Sequence, residues 1–96
     1  MKPIYSIIAP VFNEEGILKQ FYKRVSDVMN GMGESWELIF VNDGSRDGSL
    51  AVIEDLAAVD PHVKYINFAR NFGHQTAVTA GIDYATGAAV VLIDTD

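Results

Sequence analysis

The residues most able to do chemistry lie at the end of the sequence, where Asp94-Thr95-Asp96 follows an apolar run. Alternate residues leaving a strand point the same way. Two carboxylates held on one side repel each other unless a cation lies between them. Mg²⁺ or Mn²⁺ suits that position, because each is held by one or two carboxylates and completed by substrate phosphates. Three further polar clusters precede it. Ala69-Arg70-Asn71-Phe72-Gly73-His74-Gln75 sets an arginine fork in a glycine loop before a helix start, a combination suited to phosphate. Its His74 is given a secondary role. Val41-Asn42-Asp43-Gly44-Ser45-Arg46-Asp47 has ordinary turn chemistry, but it sets Asp43 directly after an apolar strand, where a carboxylate can accept from the N–H edge of uracil or guanine. Ala9-Pro10-Val11-Phe12-Asn13-Glu14-Glu15 reads as a turn with Asn13 as a helix cap, or as a loop against a nucleotide.

The elements that must position these clusters alternate between strand and helix signals. Strands are predicted over Ile4–Ala9, Trp36–Val41, Val63–Phe68 and Ala88–Ile93. The first is expected to stop at Pro10, and the last, continuously apolar, to be buried on both faces. Ile17, Leu18, Phe21, Tyr22, Val25, Val28, Met29 and Met32 recur at helical spacing behind Asn13, with Glu14 and Glu15 at the positive helix end and Gly31 and Gly33 as stops. A second helix is capped by Asp47 or Ser45, shows Leu50, Ile53, Leu56 and Ala57 on its apolar face, and ends at Asp60-Pro61. A third carries Ala77, Ala80, Gly81 and Tyr84 on one face and closes at Thr86-Gly87. The βαβαβαβ pattern with right-handed crossovers predicts an α/β fold of three layers, a mostly parallel sheet with helices on both faces. Such sheets bind ligands beyond the carboxyl ends of their strands, at the switch in strand order. All four clusters fall at such ends, and Asp43 is expected beside the switch.

Composition narrows the function. The 96 residues are 49% hydrophobic and 21% charged, so the chain folds. Without cysteine there is no disulfide, thiolate metal site or cysteine nucleophile. The seven basic residues are scattered in a chain of net charge −6, which argues against nucleic-acid binding. No apolar run reaches the ~18–20 residues of a membrane span, and no signal-peptide core follows the N-terminus, so a cytoplasmic setting is expected. The dinucleotide glycine fingerprint is missing after the first strand. A receiver-like signalling domain lacks its acidic pair there.

In their order and spacing the four clusters, with Ala80-Gly81-Ile82-Asp83-Tyr84-Ala85-Thr86-Gly87, resemble the nucleotide-binding half of a family 2 glycosyltransferase with the GT-A fold. The likeness runs over residues 1–96 and stops at the D-x-D motif. The Arg-Asn-Phe-Gly piece resembles the subgroup acting on polyprenyl phosphates, such as dolichyl-phosphate mannose synthases and bactoprenol glucosyltransferases. The resemblance implies an inverting transfer from a UDP- or GDP-sugar to a polyprenyl phosphate, at the cytoplasmic face of the membrane in the full-length protein. It implies nucleotide contacts from Pro10, Val11, Asn13, Glu14, Asp43, Arg70, Gly73 and Asp94. Pro10, Asn13, Glu14 and Asp43 would meet base and ribose, while Arg70 and the Gly73 loop would follow the sugar-phosphate path. Asp94 and Asp96 would hold Mg²⁺ or Mn²⁺ on the diphosphate. The catalytic base is expected beyond Asp96, so the 96 residues are read as a fragment inactive by itself. The alternative is a nucleotide-binding or purely structural piece, dimerising through an exposed sheet edge.

Overall fold

The computed structural model describes residues 2–95. The order is β1 (Tyr5–Val11), α1 (Leu18–Met32), β2 (Trp36–Asn42), α2 (Ser49–Val59), β3 (Val63–Asn67), α3 (His74–Tyr84) and β4 (Ala89–Leu92). The four strands form one parallel sheet in the order β3-β2-β1-β4. The chain therefore steps outward from β1 to β3 and then crosses back to the far side of β1. Right-handed crossovers in opposite directions put helices on opposite faces. The expected three layers are present. Ile7, Ala9, Val11, Leu38 and Phe40 face α1 and α2, and Ile8, Ile39 and Val41 face α3.

Local chemistry explains most boundaries. In α1, Leu18, Phe21, Val25 and Met29 are buried at spacings of three and four, and each contributes roughly 1.5–3 kcal/mol of burial. Gly33, at φ 74°, takes the left-handed conformation that ends the helix; Gly31 lies inside it and stops nothing. Asp60 closes α2 in an extended conformation ahead of Pro61, as expected. α3 lies close on the sheet because its buried positions are Ala77 and Gly81; a Cβ at Gly81 would overlap Ile8. Tyr84, expected on that face, is half exposed.

Two strand expectations are corrected. β1 does not stop at Pro10 but pairs on to Val11↔Asn42. The Ile4 and Ile8 carbonyls accept from Ala89 N in β4 and from Ile93 N just after it, whereas the Val11 carbonyl accepts from Asp43 N. Pro10 therefore turns its missing donor toward β4, whose pairing has already ended at Ile8↔Leu92. β4 is shorter than expected and exposed along its length instead of buried on both faces, because the strand order sets it at the edge.

At the amino ends of the strands Glu37 is 2% exposed and ties four elements together. Its carboxylate accepts from Ser6 Oγ (2.5 Å), Lys64 Nζ (2.7 Å), Thr86 N (2.9 Å) and Thr86 Oγ1 (3.1 Å). Burial pushes its pKa up, but these donors outweigh burial and hold it below its ordinary value. This network fixes the turn from α3 into β4, and hence where the chain leaves β4 toward Asp94.

Candidate functional site

The loops after β1, β2 and β3 are laced together. Asn13 does not cap α1, which starts five residues later at Leu18. It adopts φ 54°, donates its N–H to Ser45 Oγ (3.0 Å) and accepts from Arg46 N (2.8 Å) on Oδ1. A short amide side chain tolerates this left-handed position and mimics a backbone group across to the next loop. Glu15 is likewise displaced from its expected place at the α1 start. Its Oε1 accepts from Gly48 N (3.1 Å), just before α2, and its own N–H donates to Asp47 Oδ2 (3.2 Å). Glu14 N donates to Ser49 Oγ (3.0 Å). Asp47, one of the two expected caps, is not at the cap position, which Gly48 takes; from one residue before it, Asp47 accepts from Ser49 Oγ (2.6 Å) and Ser49 N (2.9 Å). The Ser49 hydroxyl, with that backbone N–H, holds its carboxyl below the ordinary value. Ser45 serves Asn13 instead of the helix.

Asp43 joins the β2 loop to the β3 loop. It is buried, and its carboxylate accepts from Phe72 N (2.7 Å), Gly73 N (3.1 Å) and Asn71 Nδ2 (3.1 Å). An ionised carboxylate has about four acceptor positions, so roughly one stays open for a ligand N–H. The same bonds correct the picture of the Arg70 loop: two of the backbone N–H groups expected to await a phosphate are already held by Asp43. Gly44, at φ 69°, packs so tightly on this loop that a Cβ would overlap the backbone of Arg70 and Asn71.

The structure sorts the expected site residues into two neighbouring depressions. Pro10, Val11, Glu14, Asp43, Gly73 and Asp94 line one cavity of about 400 Å³, together with Phe12, Asn71, His74 and Thr95. It opens where β1 and β4 diverge, the switch in strand order, with Asp43 one strand away. α3 begins at His74 on its wall, so a positive helix end is presented there. Asn13 and Arg70 line a second depression of about 630 Å³ between the β2 and β3 loops. The Arg70 guanidinium stacks on the Phe72 ring, 4.8 Å from its centroid. Asp96 lies outside the described residues.

Phe12 and Asn71 line both depressions, and the sequence reading gave neither a role of its own. Both stand inside the clusters quoted above, so position, not residue type, was the available signal. Asn42 and Asn67 were also missed. They are register partners at the strand ends, with Asn42 Nδ2 donating to Asn67 Oδ1 (2.9 Å). Asn42 Oδ1 is buried without a hydrogen-bond partner among the described residues.

The smaller cavity gathers Glu14, Asp43 and Asp94, against one histidine. A phosphate there meets a negative wall unless a cation intervenes. No group of three or more His, Asp or Glu capable of holding a metal occurs among the described residues. Asp94 on the cavity wall supplies one carboxylate, and Mg²⁺ and Mn²⁺ can be held by one or two carboxylates and completed by phosphate oxygens. No helix among the described residues is long and apolar enough to cross a membrane.

Comparison with known proteins adds three findings. The profile described as glycosyl transferase family 2 matches residues 6–96. YkcC of Bacillus subtilis strain 168, named as an uncharacterized glycosyltransferase, is 52% identical over 92 residues, which are 96% of this chain and 28% of that protein. A prophage bactoprenol glucosyl transferase homolog of Escherichia coli K12 is 44% identical over 91 residues, 95% of this chain and 30% of that protein. The chain thus spans under a third of these relatives. Among solved structures, the mannosyltransferase PcManGT of Pyrobaculum calidifontis, in complex with GDP-Man and Mn²⁺, superposes with a TM-score of 0.82 at 20% identity, covering all of this chain and 28% of that one. Staphylococcus aureus TarS residues 1–349 give a TM-score of 0.81 at 22% identity, with coverage of 100% and 28%. These likenesses show the GT-A fold.

Proposed function

The chain belongs to glycosyl transferase family 2, and from that premise we propose that it is the donor-binding part of an inverting, metal-dependent enzyme. That enzyme moves a sugar from a UDP- or GDP-sugar to a polyprenyl phosphate at a membrane surface. One observation carries the reading: six residues from the end of β1 and from the loops after β1, β2, β3 and β4, Asp94 among them, meet in one acidic cavity at the switch between β1 and β4. The names of the bactoprenol glucosyl transferase relatives support the acceptor class. The GDP-Man and Mn²⁺ of the mannosyltransferase support the donor class and the ion.

Each residue then has a task. Pro10, Val11 and Glu14 form the wall against base and ribose. Asp43 positions the Arg70–Gly73 loop and offers its remaining acceptor site to a base N–H. Asn13 fixes the β1 loop on the β2 loop, so the wall is rigid before a ligand arrives. Arg70 lies in the adjoining depression, on the path of the sugar phosphate. Asp94, with Asp96, would hold the Mg²⁺ or Mn²⁺. When bound, such an ion neutralises charge on a departing nucleoside diphosphate. The base that deprotonates the acceptor belongs to residues other than these 96. This chain therefore binds donor and does not turn it over.

Calorimetric titration of UDP and of GDP with Mn²⁺ tests the reading. Binding of one of them that needs Mn²⁺, and that falls at least about tenfold in Asp94→Ala, a loss of ~1.4 kcal/mol, is the expected result. Equal affinity with and without the ion contradicts it. So does turnover of a nucleotide sugar onto a lipid phosphate by the 96 residues alone.

A further inference from the structure

Asn42 and Asp43 are neighbours in the chain but serve opposite faces of the sheet. Leu38 and Phe40 face α1 and α2, whereas Ile39 and Val41 face α3. The alternation carries Asn42 to the α2 face and Asp43 to the α3 face. Their surroundings agree. Asp43 lines the acidic cavity with Gly73, and Asn42 lines the depression of about 630 Å³ with Leu50 of α2. The two hollows have Phe12 and Asn71 in common and are otherwise lined by different residues. Their charge is opposite. No acidic residue among those described lines the larger one, yet Arg46 and Arg70, two of the seven basic residues in a chain of net charge −6, both do. Neither arginine has a salt bridge among the described residues. Asn42 is 2% exposed, its Nδ2 is occupied by Asn67 Oδ1, and its own Oδ1 meets no partner among the described residues. A buried polar atom left so weakens the fold until something bonds it.

We propose that this depression is a second ligand site, for a small phosphate monoester that carries hydroxyl groups and binds without a metal. The forked guanidinium groups of Arg46 and Arg70 suit a phosphate dianion, which has no carboxylate wall to overcome here. A hydroxyl of the ligand meets Asn42. Since a hydroxyl both donates and accepts, it satisfies that amide whichever way its end is turned. The terminal torsion of asparagine is soft, so the free atom can swing toward the hollow. Phe12, Leu50 and Phe68 supply apolar surface for the C–H face of a sugar or polyol. Arg46 N is held by Asn13 Oδ1 (2.8 Å), so the Arg46 side chain hangs from a fixed loop and little ordering is needed on binding. Arg70 also borders the donor path, so Asn42 and Arg46 are what set this site apart. The inference does not depend on the donor-binding reading.

Calorimetric titration of the 96-residue chain with glucose 6-phosphate, with inorganic phosphate and with glucose tests the site, and ¹H–¹⁵N spectra place the contact. Glucose 6-phosphate is expected to bind without Mn²⁺, at least about tenfold more tightly than either inorganic phosphate or glucose, and to shift the side-chain amide signals of Asn42 and Asn67. Arg46→Ala keeps the backbone bond to Asn13 and weakens that binding about tenfold or more. Asn42→Leu keeps the shape of the side chain and removes the unpartnered atom, so Tm is not lowered, yet binding falls about tenfold. An asparagine with a structural role alone would lower Tm and leave the affinity of the folded chain as it was. Asp94→Ala, which weakens nucleotide binding with Mn²⁺, does not change the affinity for glucose 6-phosphate, so this site and the donor reading can fail separately. No binding, equal binding of inorganic phosphate, a requirement for Mn²⁺, a loss in Asp94→Ala, or unchanged affinity in Arg46→Ala or Asn42→Leu overturns the proposal.

Discussion

Replacing Gly44 by alanine perturbs the candidate site without touching a ligand. Gly44 stands at φ 69°, and an added Cβ would overlap the backbone of Arg70 and Asn71. The left-handed conformation alone costs an L-residue about 1–2 kcal/mol. Backbone cannot yield as a side-chain tip can, so the β2 and β3 loops must part. Their separation strains the three bonds from residues 71–73 to the Asp43 carboxylate. Each is worth roughly 0.5–1.5 kcal/mol net in a loop that water can reach. Because the bonds are strained and not lost outright, the lower end of the sum applies, about 3 kcal/mol, a large share of the ~5–15 kcal/mol of a typical domain. Thermal unfolding followed by circular dichroism should show Tm lower by roughly 12–24 °C, taking ~4–8 °C per kcal/mol. Trypsin should cut after Arg70 faster in Gly44→Ala, since its loop is no longer held. Gly16→Ala is the control, because a Cβ there meets nothing within 4 Å. A Tm loss in Gly44→Ala below about 4 °C, with unchanged trypsin cutting, would show that the two loops are not locked by this contact.

Gly31 lies inside α1 with open space around its Cβ position, so Gly31→Ala should raise stability by roughly 0.5–1 kcal/mol in urea unfolding. Glu37 has a folded pKa below its ordinary 4.5, so its contribution is present above that value and is lost as pH falls through the folded one. Stability should accordingly decline below about pH 4.5, and Glu37→Gln should be less stable at pH 7 with a flatter acid limb. Asp60, whose pKa burial raises but which Tyr22 and His62 hold low, keeps part of that limb in the variant. Tyr22→Phe removes the hydroxyl that donates to Asp60 (2.5 Å) and should cost about 1 kcal/mol, read by the same unfolding measurement.

Several features were legible along the chain because their causes are local. The three-and-four spacing of Leu18, Phe21, Val25 and Met29 fixes one helix face wherever the helix packs. Asp60-Pro61 ends α2 through a clash between neighbours. Alternating strand and helix signals imply a parallel sheet, and a parallel sheet puts every loop that follows a strand at one end. That is why Pro10, Glu14, Asp43, Gly73 and Asp94 could be grouped before any coordinates and are found on one cavity. What the sequence did not disclose depends on partners far away in it. Asn13 looks like a cap by local rules, yet its bonds run to Ser45 and Arg46, 32 and 33 residues on. Asp43 reads as a free carboxylate in a turn until the β3 loop arrives with its N–H groups 29 and 30 residues later. Ala88–Ile93 has interior composition, but burial is a property of strand order, and β3-β2-β1-β4 leaves it uncovered. Periodicity and capping act over three or four residues and so can be read from one segment; hydrogen bonds between loops and the order of strands are set only when distant segments pack.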